Sequence, residues 1–275
     1  MQSVWATVRT MTSPVERIGR RLAWREAGVG GTPVVFLHGL GGSRLAWEPQ
    51  LAALAAQCRA VAWDMPGYGR SATPTEPLTF ASLAAAVIEL ADDLGADRIN
   101  LVGLSLGGMI AQYTAAAYPA RLASLTLLST SPKFGLDGTL PADWRAARLA
   151  PLDAGQEPID FADRVLGAIS GPHMSAEALA HQRIAMAEVT GEAMRRAIDC
   201  IVTHDSRDLL STIAVPTRCL VGELDDETPP AYCRYISDRI PGARLDVIPG
   251  AGHLLSAEAP DVVNRLLIEH IQACT

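Results

Sequence analysis

Three side chains in one chain order, Ser105, Asp225 and His253, have the chemistry of acyl transfer. A serine hydroxyl is a weak nucleophile until a neighbouring base takes its proton. An imidazole titrates near neutrality and can take it, and a carboxylate can hold that imidazole in the right tautomer and stabilise its cation. Ser105 is the centre of Gly103-Leu104-Ser105-Leu106-Gly107. An apolar, β-branched run beginning at Ile99 enters this pentapeptide, and a helix-compatible run leaves it. A sharp strand-to-helix turn presents the hydroxyl outward, and the residues two before and two after it must lack bulk. His253 closes Ile248-Pro249-Gly250-Ala251-Gly252-His253, whose small residues let the loop fold back over the strand ends. Asp225 stands 28 residues earlier, in a strand-to-turn-to-helix segment. There Thr228 reads as an N-cap and Pro229 as the first helical residue. Asp226 and Glu223 compete with Asp225 for the acid's place.

Two upstream segments supply further candidates. Pro33-Val34-Val35-Phe36-Leu37-His38-Gly39-Leu40-Gly41-Gly42 runs from a buried strand into a Gly-rich turn whose backbone N–H groups can approach a ligand closely. His38 reads as a histidine bracing this loop, and with Gly39 it is also a candidate substrate contact. Asp64, before the turn at Pro66-Gly67, reads as a carboxylate bonded to local loop amides.

These residues need a scaffold. Buried strands are predicted at 34–37, 59–63, 99–103, 123–128, 217–222 and 244–248, preceded by a hairpin of 15–18 with 22–26 around Gly19. Helices are predicted at 44–56, 79–94, 105–118, 230–240 and 258–272, with Pro119 ending the helix that Ser105 begins. Alternation of strand and helix implies a parallel sheet with helices on both faces, and ligands bind at the carboxyl ends of such strands. Roughly ninety residues separate Leu128 from Thr217, far more than a crossover needs. The chain therefore divides into a core of 1–131 and 209–275 and a helical cap of 132–208, with helices at 142–149, 159–169, 176–188 and 192–203. Leu166, Ile169, Leu179, Ile184, Met186 and Met194 would turn an apolar face to Ser105, with Ile169 and Met186 as candidate substrate contacts. Arg44, Lys133 and Arg183 are the cations a charged substrate could meet. Such a wall suits a compact neutral substrate.

The 275 residues carry a net charge of −7, 49% apolar and 5% aromatic side chains, and no dense basic run, which argues against nucleic acid or an anionic membrane as a partner. No apolar run reaches membrane-spanning length. Cys58, Cys200, Cys219, Cys233 and Cys274 are odd in number and form no C-x-x-C pair, which fits a reduced, cytoplasmic protein. The first ten residues show no secretion signal, and Met11 could be the true start. His173, His181 and His204 have no metal-ligand spacing, and no phosphate-binding motif is present, so neither metal nor organic cofactor is expected. Homodimerisation stays open.

The chain resembles the serine-dependent α/β-hydrolases over essentially its full length. The matching pieces are His38-Gly39-Leu40-Gly41-Gly42, Asp64-Met65-Pro66-Gly67-Tyr68-Gly69-Arg70-Ser71, the Ser105 pentapeptide, the turn holding Asp225, and Gly250-Ala251-Gly252-His253. The resemblance implies a mostly parallel eight-stranded sheet, Ser105 as nucleophile, Asp225 as acid and His253 as base. It implies Leu40 and Leu106 as the backbone donors of an oxyanion hole. The order Ser, Asp, His sets Asp64 aside. Within the family the chain looks most like the β-ketoadipate (3-oxoadipate) enol-lactonase and esterase group. Those lactonases usually carry a Trp-Phe pair where this chain reads Val165-Leu166-Gly167-Ala168-Ile169-Ser170. The expected activity is hydrolysis of a small carboxylic ester or lactone through an acyl-enzyme. The alternatives are a C–C bond hydrolase with the same triad, whose usual Asn before the nucleophile is here Leu104, a cofactor-free perhydrolase, and a non-catalytic ligand receptor.

Overall fold

The computed structural model describes residues 13–274. The expectation of a start at Met11 falls outside them. Eight strands form one sheet: β1 (Val15–Ile18), β2 (Ala23–Ala27), β3 (Val34–Leu37), β4 (Ala60–Trp63), β5 (Ile99–Leu104), β6 (Leu122–Leu128), β7 (Thr217–Gly222) and β8 (Arg244–Ile248). Their order across the sheet is β1-β2-β4-β3-β5-β6-β7-β8. The pairs β1–β2 and β2–β4 are antiparallel and the rest parallel. The α-helices of the described residues are α1 (Glu48–Leu54), α2 (Phe80–Asp93), α3 (Leu106–Ala117), α4 (Pro141–Asp153), α5 (Ala162–Ile169), α6 (Ala176–Ala187), α7 (Gly191–Ile201), α8 (Pro230–Ser237), α9 (Leu255–Glu258) and α10 (Pro260–Ala273).

The central strands are mostly apolar because helices cover them: β3 and β4 are wholly so, and β5 and β6 are interrupted only by the buried Asn100, Ser124 and Thr126. Helix α1 packs on α10 and α2 on α3, and every residue of β3, β4, β5 and β6 is buried. The predicted 44–56 helix divides instead into a 3₁₀ turn, Arg44–Trp47, and α1. The Ser43 hydroxyl caps the turn and Pro49 starts the helix anew, which explains the break. No helix among the described residues is long and apolar enough to cross a membrane.

Helices α4–α7 fill an insertion between β6 and β7. Its two ends meet in a narrow neck. Phe134 N–H donates to the His204 carbonyl (2.9 Å), Ser206 N–H to the Pro132 carbonyl (2.9 Å) and the His204 imidazole Nε2 to the Ser131 carbonyl (2.8 Å). The insertion is also tied to the loops at the sheet's carboxyl end. Gln182 donates to the Ala46 carbonyl, Glu188 pairs with Arg44 at 2.9 Å, and Arg196 donates to the Pro74 carbonyl.

Candidate active site

Ser105 occupies a backbone conformation that L-residues rarely adopt, with φ 55° and ψ −117°. Such strain costs about 1–3 kcal/mol and persists only where the surroundings over-determine it. Here they do. Ser105 N–H donates to the Leu128 carbonyl (2.9 Å), and its own carbonyl accepts from Met109 N–H (3.0 Å) and the Thr130 hydroxyl (2.7 Å). A Cβ at Gly103 would lie 2.3 Å from the Gly107 carbonyl oxygen, and one at Gly107 2.1 Å from that of Leu37. Both flanking glycines are therefore required by close backbone approach. Helix α3 begins at Leu106 rather than Ser105 because this residue is not helical.

Asp225 and His253 come together. The imidazole Nδ1 lies 3.0 and 3.1 Å from the two carboxylate oxygens. The carboxylate also accepts from Thr228 N–H (2.8 Å), Glu227 N–H (3.1 Å) and the Thr228 hydroxyl (2.9 Å). Thr228 is thus not the predicted N-cap. Helix α8 begins later, at Pro230, and the threonine instead spends both of its donors on Asp225. Of the rival acids, Asp226 is exposed, and Glu223 accepts from Gly250 N–H in the neighbouring loop. Burial pushes the Asp225 carboxyl up, but the imidazole and the Thr228 donors outweigh it and hold it below its ordinary value. Burial likewise pushes His253 down, and the Asp225 carboxylate more than reverses this, so its pKa is raised. No hydrogen bond joins the Ser105 hydroxyl to His253, and Nε2 of that imidazole makes none among the described residues. Nδ1 is engaged and Nε2 is available for a proton.

The loop after β3 meets the serine at Gly39, where a Cβ would stand 3.3 Å from Ser105 Cβ. The Leu40 carbonyl accepts from the Tyr68 hydroxyl (2.8 Å), which aims its peptide. Neither Leu40 N–H nor Leu106 N–H donates to another group among the described residues. His38 is corrected as a substrate contact. It is buried, its Nδ1 donates to the Gly39 carbonyl (2.8 Å) and its Nε2 accepts from Met65 N–H (3.1 Å), leaving no ring nitrogen for a ligand. Burial lowers its pKa to about 4. Asp64 does bond loop amides, those of Arg44 (2.9 Å) and Arg70 (3.0 Å). Arg44 is corrected as a substrate cation, because its guanidinium is buried among Asp64, Glu16 and Glu188.

The insertion brings Met186 against the same loop, with its sulfur 3.4 Å from where a Gly41 Cβ would stand. Leu166 and Met194 are buried, and the Ile169 carbonyl accepts from His253 N–H (3.0 Å). Ile184, expected inward, is 55% exposed. Arg183 is exposed and pairs with Asp163. His173 and His181 are exposed, and His204 packs against Phe80 and Tyr113. Among the described residues no group of three His, Cys, Asp or Glu side chains could hold a metal ion.

Sequence reasoning missed Glu258. Its Oε2 accepts from Gly171 N–H (2.9 Å) and Gly252 N–H (2.7 Å), and its Oε1 from Leu254 N–H (3.0 Å). An acidic residue five positions after a histidine, closing the mostly apolar Leu254-Leu255-Ser256-Ala257 that follows the Gly-rich loop, was the available signal.

Residues 34–266 match the alpha/beta hydrolase family. A Variovorax paradoxus protein named "Putative carbamate hydrolase RutD" is 32% identical over 252 residues, covering 88% of this chain and 92% of that one. The 3-oxoadipate enol-lactonase 1 of Acinetobacter baylyi is 27% identical over 250 residues, covering 89% and 91%, in keeping with the resemblance read from the motifs. The structure of a thermophilic esterase from Thermogutta terrifontis superposes with a TM-score of 0.82 at 26% identity, covering 95% of this chain and 99% of that one.

Proposed function

The chain belongs to the alpha/beta hydrolase family, and from that premise we propose that it hydrolyses a compact, neutral carboxylic ester or lactone through an acyl-enzyme. The observation that carries this reading is the buried Asp225–His253 pair, Nδ1 engaged and Nε2 unbonded, at the sheet end where Ser105 is held in its strained turn. His253 Nε2 takes the Ser105 proton as the hydroxyl attacks the carbonyl carbon. Asp225 fixes the Nδ1–H tautomer and stabilises the imidazolium. The Leu40 and Leu106 amides receive the oxyanion, each donor contributing about 3 kcal/mol at the transition state. The imidazolium then protonates the leaving alkoxide. Water, deprotonated by His253, attacks the acyl-enzyme and frees the acid. An unformed Ser105–His253 hydrogen bond is ordinary without substrate, since such contacts tighten in the complex.

In this reading the 132–208 insertion acts as the cap; Met186 stands against the Gly41 turn, and with the buried Leu166 and Met194 it would supply apolar pocket walls. With Arg44 sequestered by three carboxylates, a dicarboxylate finds no free guanidinium there. The relatives named for carbamate, enol-lactone and ester substrates support acyl chemistry. The test pairs a fluorophosphonate probe with a kinetic panel. The wild type should label and Ser105→Ala should not. Neutral p-nitrophenyl esters should exceed 3-oxoadipate enol-lactone in kcat/KM. Labelling of a folded Ser105→Ala protein refutes the nucleophile, and a large preference for the dicarboxylate lactone refutes the neutral pocket.

A further inference from the structure

We propose that Glu258 is a positioning residue for His253, and that through it residues 169–171 of the cap form part of the mounting of the base. This rests on His253 being the base. The Glu258 carboxylate gathers three backbone donors: Gly252 and Leu254, which flank His253, and Gly171 across the cap. The His253 N–H itself donates to the Ile169 carbonyl (3.0 Å). The two backbones touch. A Cβ on Gly252 would lie 2.4 Å from Gly171 N, and one on Gly171 2.6 Å from Gly252 N and 2.5 Å from Glu258 Oε2. A Cβ on Gly250 would meet the His173 ring at 2.9 Å. The loop carrying the base is therefore packed on one side against Asp225 and Thr228, and clamped on the other to the cap by one carboxylate. Charge-assisted bonds from N–H donors to a carboxylate are among the stronger ones a loop can make. Both peptides beside the imidazole are fixed, so the ring's approach to Ser105 is fixed with them.

The charged groups that act on His253 are Asp225 and Glu227 before α8 and Glu258 on α9; Glu227 is itself paired with Arg148 of the cap. Glu223 and His173 stand at Gly250. Glu258 adds to the negative field that favours the imidazolium.

The test compares Glu258→Gln, Gly171→Ala and His253→Ala by kcat, KM and pH profile on p-nitrophenyl acetate, with Tm alongside. Glu258→Gln keeps one acceptor oxygen but turns an NH₂ towards N–H donors and removes the charge. Its kcat should fall about ten- to a hundred-fold, as small misplacements of catalytic groups do. KM should stay within about twofold. The acid limb should move to lower pH, because the imidazolium loses a neighbouring anion. Gly171→Ala keeps the charge of Glu258 but sets a Cβ against its carboxylate and Gly252 and forces the clamp apart, so kcat should fall while the limb moves less. A folded Glu258→Gln protein with wild-type kcat and limb overturns the proposal. So does a loss that follows Tm alone with an unmoved pH profile. If Glu258→Gln fails to fold, Gly171→Ala decides, and wild-type kcat in it overturns the clamp. Full activity in His253→Ala would instead break the reading of the base itself.

Discussion

His38, in the turn after β3, and His253, in the turn after β8, are both almost wholly buried, at 1% and 4% exposure. Burial pushes both imidazoles towards the neutral form. His38 hydrogen-bonds only to backbone, a carbonyl on Nδ1 and an N–H on Nε2, and its pKa sinks to about 4. His253 meets the Asp225 carboxylate and rises instead. One ring is a neutral brace with both nitrogens used, and the other keeps Nε2 open beside a counter-charge. Burial does not make a histidine a base; a buried anion on its far nitrogen does.

The largest test of that contrast is His253→Ala against His38→Gln. Removing the proposed base should cost about 10⁴-fold or more in kcat, with no further loss on adding Ser105→Ala, because nucleophile and base would act as a unit. His38→Gln should lose less than about tenfold in kcat while destabilising the fold by roughly 1–3 kcal/mol through its unpaired backbone partners. Equal losses of turnover would erase the distinction. Steady-state kinetics and denaturant melts of both proteins check it.

A smaller effect follows from Asp225→Asn. The amide keeps the shape but not the charge, so kcat should drop by about 10³–10⁴-fold. In the wild type the neutral, proton-accepting form of His253 prevails only above its raised pKa, so the rate should climb with pH along a limb alkaline of an ordinary histidine. In Asp225→Asn the residual activity should carry that limb to lower pH, towards the behaviour of His38. A limb that stays put means another group sets it.

The smallest effect is thermodynamic. The folded pKa of His38 is below the 6.5 of a free histidine, so protons bind the unfolded chain better. Stability due to this group is full above pH 6.5 and declines by about 3 kcal/mol as pH falls to its folded pKa of about 4. His38→Gln should flatten that decline in melts between these pH values. An unchanged slope assigns the acid sensitivity elsewhere.

Much of this was legible in the chain because strand ends advertise themselves. The apolar runs before His38, Ser105 and Asp225 each stop in a Gly- or Asp-rich turn, and those turns hold the candidate residues. What escaped were side chains whose partners are remote in sequence. Arg44 looked like a free cation because Asp64 and Glu188 lie 20 and 144 residues away. Thr228 followed the local grammar of helix capping, and tertiary contact with Asp225 overrode it. Ile184 was misplaced because α6 is rich in alanine, and small residues all round a helix leave its buried face unmarked.

The neck between β6 and β7 has a consequence for inheritance. The incoming and outgoing chains are bonded to each other, Phe134 to His204 and Ser206 to Pro132, with Ser206 further pinned to Gln112 of α3 (2.6 Å). A segment whose ends already meet can be exchanged without moving the strands it interrupts. Recombination at this junction would give the sheet a different insertion in a single event, with the strands that carry Ser105 and Asp225 left in register. An incoming segment would have to match the contacts that the present one makes with the core: a backbone N–H and carbonyl at the places of Gly171 and Ile169, and partners for Ala46, Arg44 and Pro74.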